Sequence, residues 1–238
     1  MAVIFLIRHG QASFGTADYD ELSPTGHRQS ELLGAWLKRS APPFDALFAG
    51  RLKRQRDTAE HLRRALDHAP PVQMSPAFDD YDHDGVIRAY LPAFTARLGP
   101  ERAVSERELL ASRKLFEVGF RYMIRAWMHN EPHEHPGLEP WRDFCIRVGT
   151  GLRELIDGHG PHARIAVVTS GGTIAAALRA VLGLSNKRTL AMNWTLYNAS
   201  VTQIYYGRSG QHHDALVLGL NNVAHLELAG GADLITFR

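Results

Sequence analysis

The sequence predicts an α/β fold, in which a mostly parallel sheet is flanked by helices and carries a helical insertion. Short apolar runs that are typical of buried strands alternate with amphipathic helical segments along most of the 238 residues. Residues 86–141 differ, because this segment is charged, amphipathic and helical throughout. We interpret it as an insertion, either a cap or a dimer surface, into a single domain, 1–238.

The predicted elements follow one another in the order that such a sheet requires. The first strand, 3–7, is a continuous apolar run. A helix begins after it at Ser23, since serine is a favoured N-cap and Pro24 suits the first helical position. The other predicted strands are 45–49, 72–74, 164–169, 200–206 and 215–220, and the other predicted helices are 52–66, 141–156 and 173–182. The last two strands are adjacent in sequence, which favours a late antiparallel element.

The composition excludes several classes of partner. The net charge is only +2, and no basic stripe is interleaved with aromatic residues, so we expect no nucleic-acid partner. The single cysteine, Cys145, cannot form an internal disulfide and suits a reducing compartment. No apolar run has the length of a membrane span. We therefore expect a cytoplasmic protein that has no membrane partner.

Polar side chains follow four of the predicted strands at the points where those strands end. Arg8-His9-Gly10 follows the first strand, Arg54 follows the second, Asp80 the third, and Ser170-Gly171-Gly172 ends the fourth. The carboxyl ends of parallel strands meet at one edge of a sheet, so we expect these groups to form a pocket. Guanidinium groups beside an imidazole indicate an anion as ligand, and phosphate is the candidate.

A more specific signal lies in five short segments, which are LIRHGQ at 6–11, LSPTGHRQ at 22–29, LKRQRDTA at 52–59, NASVT at 198–202 and NNVAHL at 221–226. In this order they resemble the motifs of the histidine phosphatase superfamily, the phosphoglycerate mutase-like fold. The resemblance covers nearly the whole chain outside the insertion.

The resemblance implies a role for each residue of the pocket. His9 would be the nucleophile and would form a phosphohistidine that water then cleaves. Its other ring nitrogen would donate to a fixed acceptor, for which a backbone carbonyl is the candidate. Arg8 and Arg54 would clamp the phosphoryl oxygens, because planar guanidinium groups match that geometry. The resemblance implies neither a metal nor a cofactor, since the arginines carry the positive charge.

The chain departs from the family pattern in two places. The family supplies a glutamate as general acid after the third strand, where this chain has Asp80, with Asp82 as the alternative. The family also expects a histidine before the Gly-Gly pair, where this chain has Ser170. A hydroxyl donates one hydrogen bond to phosphate but carries no charge. The backbone of Gly171 and the start of the next helix would still favour an anion.

Other residues are weaker candidates for the same pocket. Gly15 stands where many members of the family carry an asparagine that contacts phosphate, and Ser13 is the candidate to replace it in part. His27 and His83 are candidates to supply the charge that is lost at the second histidine position.

Three functions remain open from the sequence. The first is a metal-independent phosphatase that acts on a small phosphorylated substrate through His9. The second is a mutase of the phosphoglycerate mutase type, which would have to keep water from the phosphohistidine. The third is a non-catalytic protein that binds a phosphorylated ligand, which the serine at position 170 motivates. The sequence also leaves open whether two copies associate as a homodimer through the insertion.

Overall fold

The computed structural model describes residues 2–13, 20–41, 43–99, 102–206 and 215–237. The chain divides into two compact units, of which the first is formed by residues 1–80 and 147–238 and the second by residues 81–146. The segment that the sequence indicates as an insertion, 86–141, lies within the second unit.

The first unit is built on a mainly parallel sheet, as the sequence predicts. The strands are β1 (Ala2–Arg8), β2 (Ala46–Ala49), β3 (Val72–Met74), β4 (Arg164–Thr169), β5 (Val201–Tyr206) and β6 (Ala215–Asn222). Their order across the sheet is β3-β2-β4-β1-β5-β6. The first four in this order pair in parallel, and β5 and β6 add an antiparallel edge beside β1. The α/β fold class is thereby confirmed.

Helices follow the strands of the first unit. They are α1 (Pro24–Ser40), α2 (Lys53–Ala65), α6 (Trp141–His159), α7 (Gly171–Leu182), α8 (Asn186–Thr195) and α9 (Ala224–Ala229), and α6 runs across the boundary between the units. α7 begins two residues earlier than predicted, directly at Gly171. α8 and α9 are not predicted from the sequence, because α8 has little amphipathic pattern and α9 is only six residues long.

The core of the first unit lies between the sheet and the apolar stripes of α1 and α2. Leu33 and Leu37 lie one turn apart on α1 and are fully buried, as is Leu62 of α2. They pack in one cluster with strand residues such as Ile7 and Leu47. Each such side chain stabilises the fold by about 1.5–3 kcal/mol when it is buried. This packing holds the carboxyl ends of β1 and β2 in place.

The second unit is helical and has an aromatic core. It contains α3 (His83–Leu98), α4 (Glu106–Ala111), α5 (Arg113–Met128) and the first residues of α6. Trp127 of α5 is buried, and its ring centroid lies 5.0 Å from that of Tyr81 and 5.2 Å from that of Trp141. The Trp127 indole donates to the Glu139 carbonyl at 2.8 Å. The tryptophans of this unit are therefore packing residues.

None of the helices within the described ranges is long and apolar enough to cross a membrane.

Candidate active site

The polar residues at the strand ends meet at one edge of the sheet in the first unit. His9 follows β1, Ser170 follows β4, and Arg54 lies in the first turn of α2 after β2. Asp80 follows β3, after a short 3-10 turn at Pro76–Phe78. Since β4 lies between β2 and β1, Ser170 stands between the positions that carry Arg54 and His9.

The loop that carries His9 is held by its backbone. The His9 N–H donates to the Thr169 carbonyl at 2.8 Å, which continues the pairing of β1 with β4. The Gly10 N–H donates to the Thr58 hydroxyl at 3.0 Å. A Cβ at Gly10 would lie 2.4 Å from the Gly26 carbonyl oxygen, so no side chain fits where the loop passes the start of α1. These contacts position the imidazole before any ligand binds.

The His9 ring is buried and has a defined tautomer. Its Nδ1 lies 2.6 Å from the Gly10 carbonyl oxygen, and its Nε2 lies 3.1 Å from Nε of Arg54. The Arg54 guanidinium is always a donor, so His9 Nε2 accepts and carries no proton. Nδ1 therefore carries the proton and donates it to the carbonyl. The expected carbonyl partner is confirmed, and Nε2 is left with the lone pair that a nucleophile requires.

Arg54 is buried, and two carboxylates bind its guanidinium. Nη1 donates to Asp20 Oδ1 at 2.7 Å, and Nη2 lies 3.5 Å from Asp80 Oδ2. Asp20 Oδ2 also accepts from the backbone N–H of Lys53 at 2.7 Å. An acidic residue at this helix start suits the helix dipole. Asp20 could not be predicted from the sequence, since an isolated aspartate in a loop carries no signal of its own.

Arg8 contacts later parts of the chain. Nη1 donates to the Leu196 carbonyl, and Nη2 donates to the Phe237 carbonyl at 2.7 Å. A Cβ at Gly171 would lie 3.6 Å from Nε of Arg8, so the guanidinium passes the start of α7. The resemblance implies that Arg8 clamps phosphate, whereas both of its terminal nitrogens here bind backbone carbonyls. Its contact with phosphate stays a prediction.

The neighbouring carboxylates Asp79 and Asp80 have separate partners. The Asp80 side chain is 5% exposed and faces Arg54. Asp79 accepts from the Arg51 backbone N–H at 2.6 Å and from Arg51 Nε at 2.8 Å. The charge of Asp79 is thus balanced by Arg51, and Asp80 is the carboxylate that faces the residues around His9.

Asp82 and His83 belong to the second unit. Asp82 is the N-cap of α3, where its Oδ1 accepts from the Gly85 N–H at 2.8 Å, and its side chain is 53% exposed. His83 is the first residue of α3, and its ring packs edge-on against Tyr81 with the centroids 4.2 Å apart. The capping bond explains the position of Asp82, and its roles as the alternative general acid and as a substrate-binding residue stay predictions.

The remaining candidates lie in the first unit or outside the described residues. The Ser13 N–H donates to the Glu21 carbonyl at 2.8 Å, just before the segment that contains Gly15. Gly15 lies outside the described residues. His27 Nδ1 lies 2.9 Å from Nε2 of His61 in an exposed pair between α1 and α2.

Ser170 is fully buried at the start of α7. It holds the N-cap position, yet its side chain makes no capping bond to the helix. Its Oγ instead lies 2.8 Å from Nε2 of Gln55, which is also fully buried. Gln55 could not be predicted as a site residue from the sequence, because a glutamine in a helix normally indicates a solvated position.

Among the described residues, no group of three or more histidine, cysteine, aspartate or glutamate side chains could hold a metal ion. The cationic side chains of this site are those of Arg8 and Arg54.

The comparison with protein families agrees with this arrangement. The family model described as the histidine phosphatase superfamily (branch 1) matches residues 4–97 and 110–218. The match spans most of the chain and includes the strand ends that carry His9, Arg54, Asp80 and Ser170. The protein belongs to the histidine phosphatase superfamily.

Solved structures with the same fold include several phosphatases. Phosphoserine phosphatase from Entamoeba histolytica, in complex with 3-phosphoglyceric acid, has a TM-score of 0.63 and 19% identity over 95% of this chain and 100% of its own. Mycobacterial glucosyl-3-phosphoglycerate phosphatase, in complex with VO3, has a TM-score of 0.65 and 21% identity over 93% and 99%. The α-ribazole phosphatase from Shigella flexneri has a TM-score of 0.61 and 19% identity over 92% and 96%. At these identities the likeness establishes the fold. The comparison with curated proteins gave no match.

Proposed function

We propose that the protein is a phosphatase, which hydrolyses a small phosphate monoester through a phosphohistidine on His9 and uses arginine rather than a metal for positive charge. The observation that carries this proposal is the unprotonated Nε2 of His9, which faces the buried guanidinium of Arg54 at 3.1 Å. A nucleophile and a phosphate-binding cation are therefore adjacent. The solved phosphatases of the same fold support the reaction class.

The first step transfers the phosphoryl group to the enzyme. A bound phosphoryl group offers Arg54 charged oxygens in place of His9 Nε2, which frees the lone pair of the imidazole. Nε2 then attacks phosphorus as the ester P–O bond breaks, and Asp80 acts as the general acid that gives a proton to the leaving oxygen. The bond from Nδ1 to the Gly10 carbonyl keeps the ring in orientation throughout this step.

The second step returns the enzyme to its starting state. The Asp80 carboxylate takes a proton from water as the water oxygen attacks phosphorus, and the N–P bond breaks. Inorganic phosphate leaves, His9 is neutral again, and Asp80 has recovered its proton. Arg54 stabilises the charge on the equatorial oxygens in both steps, which is where most of the catalysis in phosphoryl transfer arises.

Replacement of the nucleophile tests this proposal. We expect His9→Ala to lower the kcat/KM for p-nitrophenyl phosphate by about a thousandfold or more, since it removes the group that carries the phosphoryl intermediate in this mechanism. His162→Ala removes an exposed histidine of the first unit and is the matched control. A His9→Ala protein that hydrolyses the ester as fast as its parent contradicts the mechanism.

A protein that binds a phosphorylated ligand without turnover is the second candidate. The serine at position 170 motivates it, because a hydroxyl at the end of β4 supplies no positive charge to assist turnover. This candidate would be supported if the protein bound phosphate esters tightly and released no phosphate from any ester of a broad panel. The same panel separates a mutase, which would interconvert phosphoglycerates faster than it releases phosphate.

A further inference from the structure

We propose that Gln55 is a positioning residue for the phosphoryl group, which acts through the hydroxyl of Ser170. The inference rests on the proposed phosphate pocket and extends it to the end of β4, where the family pattern has a histidine and this chain has Ser170. Gln55 and Ser170 are both fully buried, and Nε2 of Gln55 lies 2.8 Å from Oγ of Ser170.

The orientation of the Gln55 amide is determined by its other two partners. Oε1 accepts from the Leu52 backbone N–H at 3.2 Å, and Nε2 donates to the Phe78 carbonyl at 3.3 Å. A flipped amide would place a donor against the Leu52 N–H and an acceptor against the Phe78 carbonyl. Nε2 is therefore the atom beside Ser170, and it donates to Oγ.

This direction constrains the Ser170 hydroxyl. A serine hydroxyl has one hydrogen to donate, and that hydrogen cannot point at an amide N–H. The hydrogen of Ser170 therefore points away from Gln55. No acceptor for it is found among the residues that the structure describes, and Oγ makes no capping bond to α7. A buried donor without an acceptor is unfavourable, and an oxygen of a bound ligand would satisfy it.

The sheet order places Ser170 beside the loop that carries His9. β4 is the direct neighbour of β1, and Ser170 follows β4 as His9 follows β1. The His9 N–H bonds to the carbonyl of Thr169, the residue before Ser170. A phosphoryl group bound beside His9 would lie at the same edge of the sheet, and in this proposal one of its oxygens accepts the hydrogen of Ser170.

Close packing holds the Gln55 amide in this position. A Cβ at Gly50 would lie 2.0 Å from Oε1 of Gln55 and 2.5 Å from the Phe78 carbonyl oxygen, so the turn after β2 lies directly on the amide. A glutamine that is free to rotate would lose side-chain entropy when it ordered Ser170. Here folding has already ordered it, and the hydroxyl is oriented before phosphate binds.

The affinity for inorganic phosphate, measured by isothermal titration calorimetry, tests the coupling between the two residues. Ser170→Ala removes the donor, and Gln55→Met keeps the volume but removes the amide that directs it. We expect each variant to weaken phosphate binding about tenfold, the effect of one hydrogen bond to a charged ligand. Since Gln55 acts through Ser170, the double variant should bind phosphate no more weakly than Ser170→Ala alone.

Three results would overturn the proposal. The first is unchanged phosphate affinity in Gln55→Met while Ser170→Ala weakens it. The second is an additive loss in the double variant, which would mean that Gln55 acts independently of the serine. The third is a parent protein that binds phosphate no better than Ser170→Ala.

Matched variants separate positioning from a purely structural role. Thr189→Val removes a buried hydroxyl that bonds to the Ser185 carbonyl within α8, and it should lower the thermal midpoint without changing phosphate affinity. Gln55→Asn is the second substitution at this position, because it keeps an amide that is one methylene too short to reach Ser170. If Gln55→Met does not fold, the phosphate affinity of Gln55→Asn is measured instead, both alone and combined with Ser170→Ala. This comparison also shows whether Gln55 acts through Ser170.

Phosphate binding does not require turnover, so this inference and the proposed function can fail separately. Hydrolysis by His9→Ala would disprove the phosphohistidine mechanism. The phosphate affinities of the Gln55 and Ser170 variants would still test the role of Gln55. Unchanged affinity in Gln55→Met, with His9→Ala inactive, would disprove only the role of Gln55.

Discussion

Arg54 determines the charge balance around His9. Its three nitrogens contact three different groups, which are His9 Nε2 at 3.1 Å, Asp20 at 2.7 Å and Asp80 at 3.5 Å. The planar guanidinium can serve all three at once because its donors diverge in fixed directions. In the proposed mechanism a phosphoryl group would replace the contact with His9, while Asp20 would keep the guanidinium oriented.

Arg54→Lys tests whether this geometry or the charge alone matters. Lysine keeps the charge but presents it at a single point, so it cannot contact all three groups. We expect kcat/KM for a phosphate monoester to fall about a hundredfold, as two hydrogen bonds to charged groups are lost. Arg56→Lys, an exposed position on the same helix, is the control and should stay within about twofold. Equal activity of the two variants would show that charge alone suffices.

The identity of the general acid can be decided with leaving groups of different basicity. A p-nitrophenolate leaves without a proton, whereas an alkoxide requires one. We expect Asp80→Asn to lower kcat for an alkyl phosphate about 10²–10⁴-fold and to affect p-nitrophenyl phosphate much less. Asp82→Asn is the matched control, since Asp82 caps α3. A leaving-group effect in Asp82→Asn but not in Asp80→Asn would reverse the assignment.

At the scale of elements, the junction of β4 with α7 is packed against α2. Gln55 of α2 extends to Ser170 at the start of α7, and both side chains are fully buried. An imidazole at position 170 would need space that the Gln55 amide fills in this conformation. The residue at the end of β4 is therefore matched to the residue on α2, and one position should not change without the other.

Ser170→His is expected to be poorly accommodated for this reason. Overpacking a filled interior typically costs about 1–3 kcal/mol, and urea unfolding would measure the loss. Ser170→His combined with Gln55→Ala provides space for the ring and should recover part of the stability. If Ser170→His alone is as stable as the parent, the site has more room than the packing of Gln55 indicates.

At the scale of the whole molecule, packing of α9 on α1 makes stability depend on pH. His225 of α9 is buried, and its ring stacks on Trp36 of α1 with the centroids 5.5 Å apart. Neither ring nitrogen has a hydrogen-bond partner among the described residues. Burial lowers the pKa of His225 from 6.5 to about 4. The folded state therefore requires the neutral imidazole.

The sign of the resulting pH dependence follows from proton binding. Below about pH 6.5 the unfolded chain protonates His225, and the folded chain does so only near pH 4. The unfolded state binds more protons in this range, so stability falls as the pH decreases from 6.5 towards 4. We expect this residue to account for a loss of about 2 kcal/mol in the free energy of unfolding between pH 8 and pH 5.

Urea unfolding at pH 8 and pH 5 measures this effect. His225→Phe keeps an aromatic ring against Trp36 but cannot titrate. The difference between parent and variant in the pH dependence of the free energy of unfolding is therefore the contribution of His225. Identical pH dependence in the two proteins would show that His225 does not carry it.

Local patterns in the sequence were sufficient for most of the architecture. The apolar runs that form β1 and β4 and the stripes of α1 and α2 are periodic within a few residues, which is why their positions could be predicted. The strand-end placement of His9 and Arg54 followed from the same patterns. α8 and α9 could not be predicted, since short helices are stabilised by packing rather than by their own periodicity.

By itself, the sequence determined the fold class, the edge of the sheet that carries the site and the histidine at its centre. Only the tertiary structure decided the partners of those residues: Asp20 on Arg54, Gln55 on Ser170, and the Leu196 and Phe237 carbonyls on Arg8. The physical reason is sequence separation. Strand and helix signals arise between near neighbours, whereas Gln55 and Ser170 are 115 residues apart and meet only when the sheet has brought β2 beside β4.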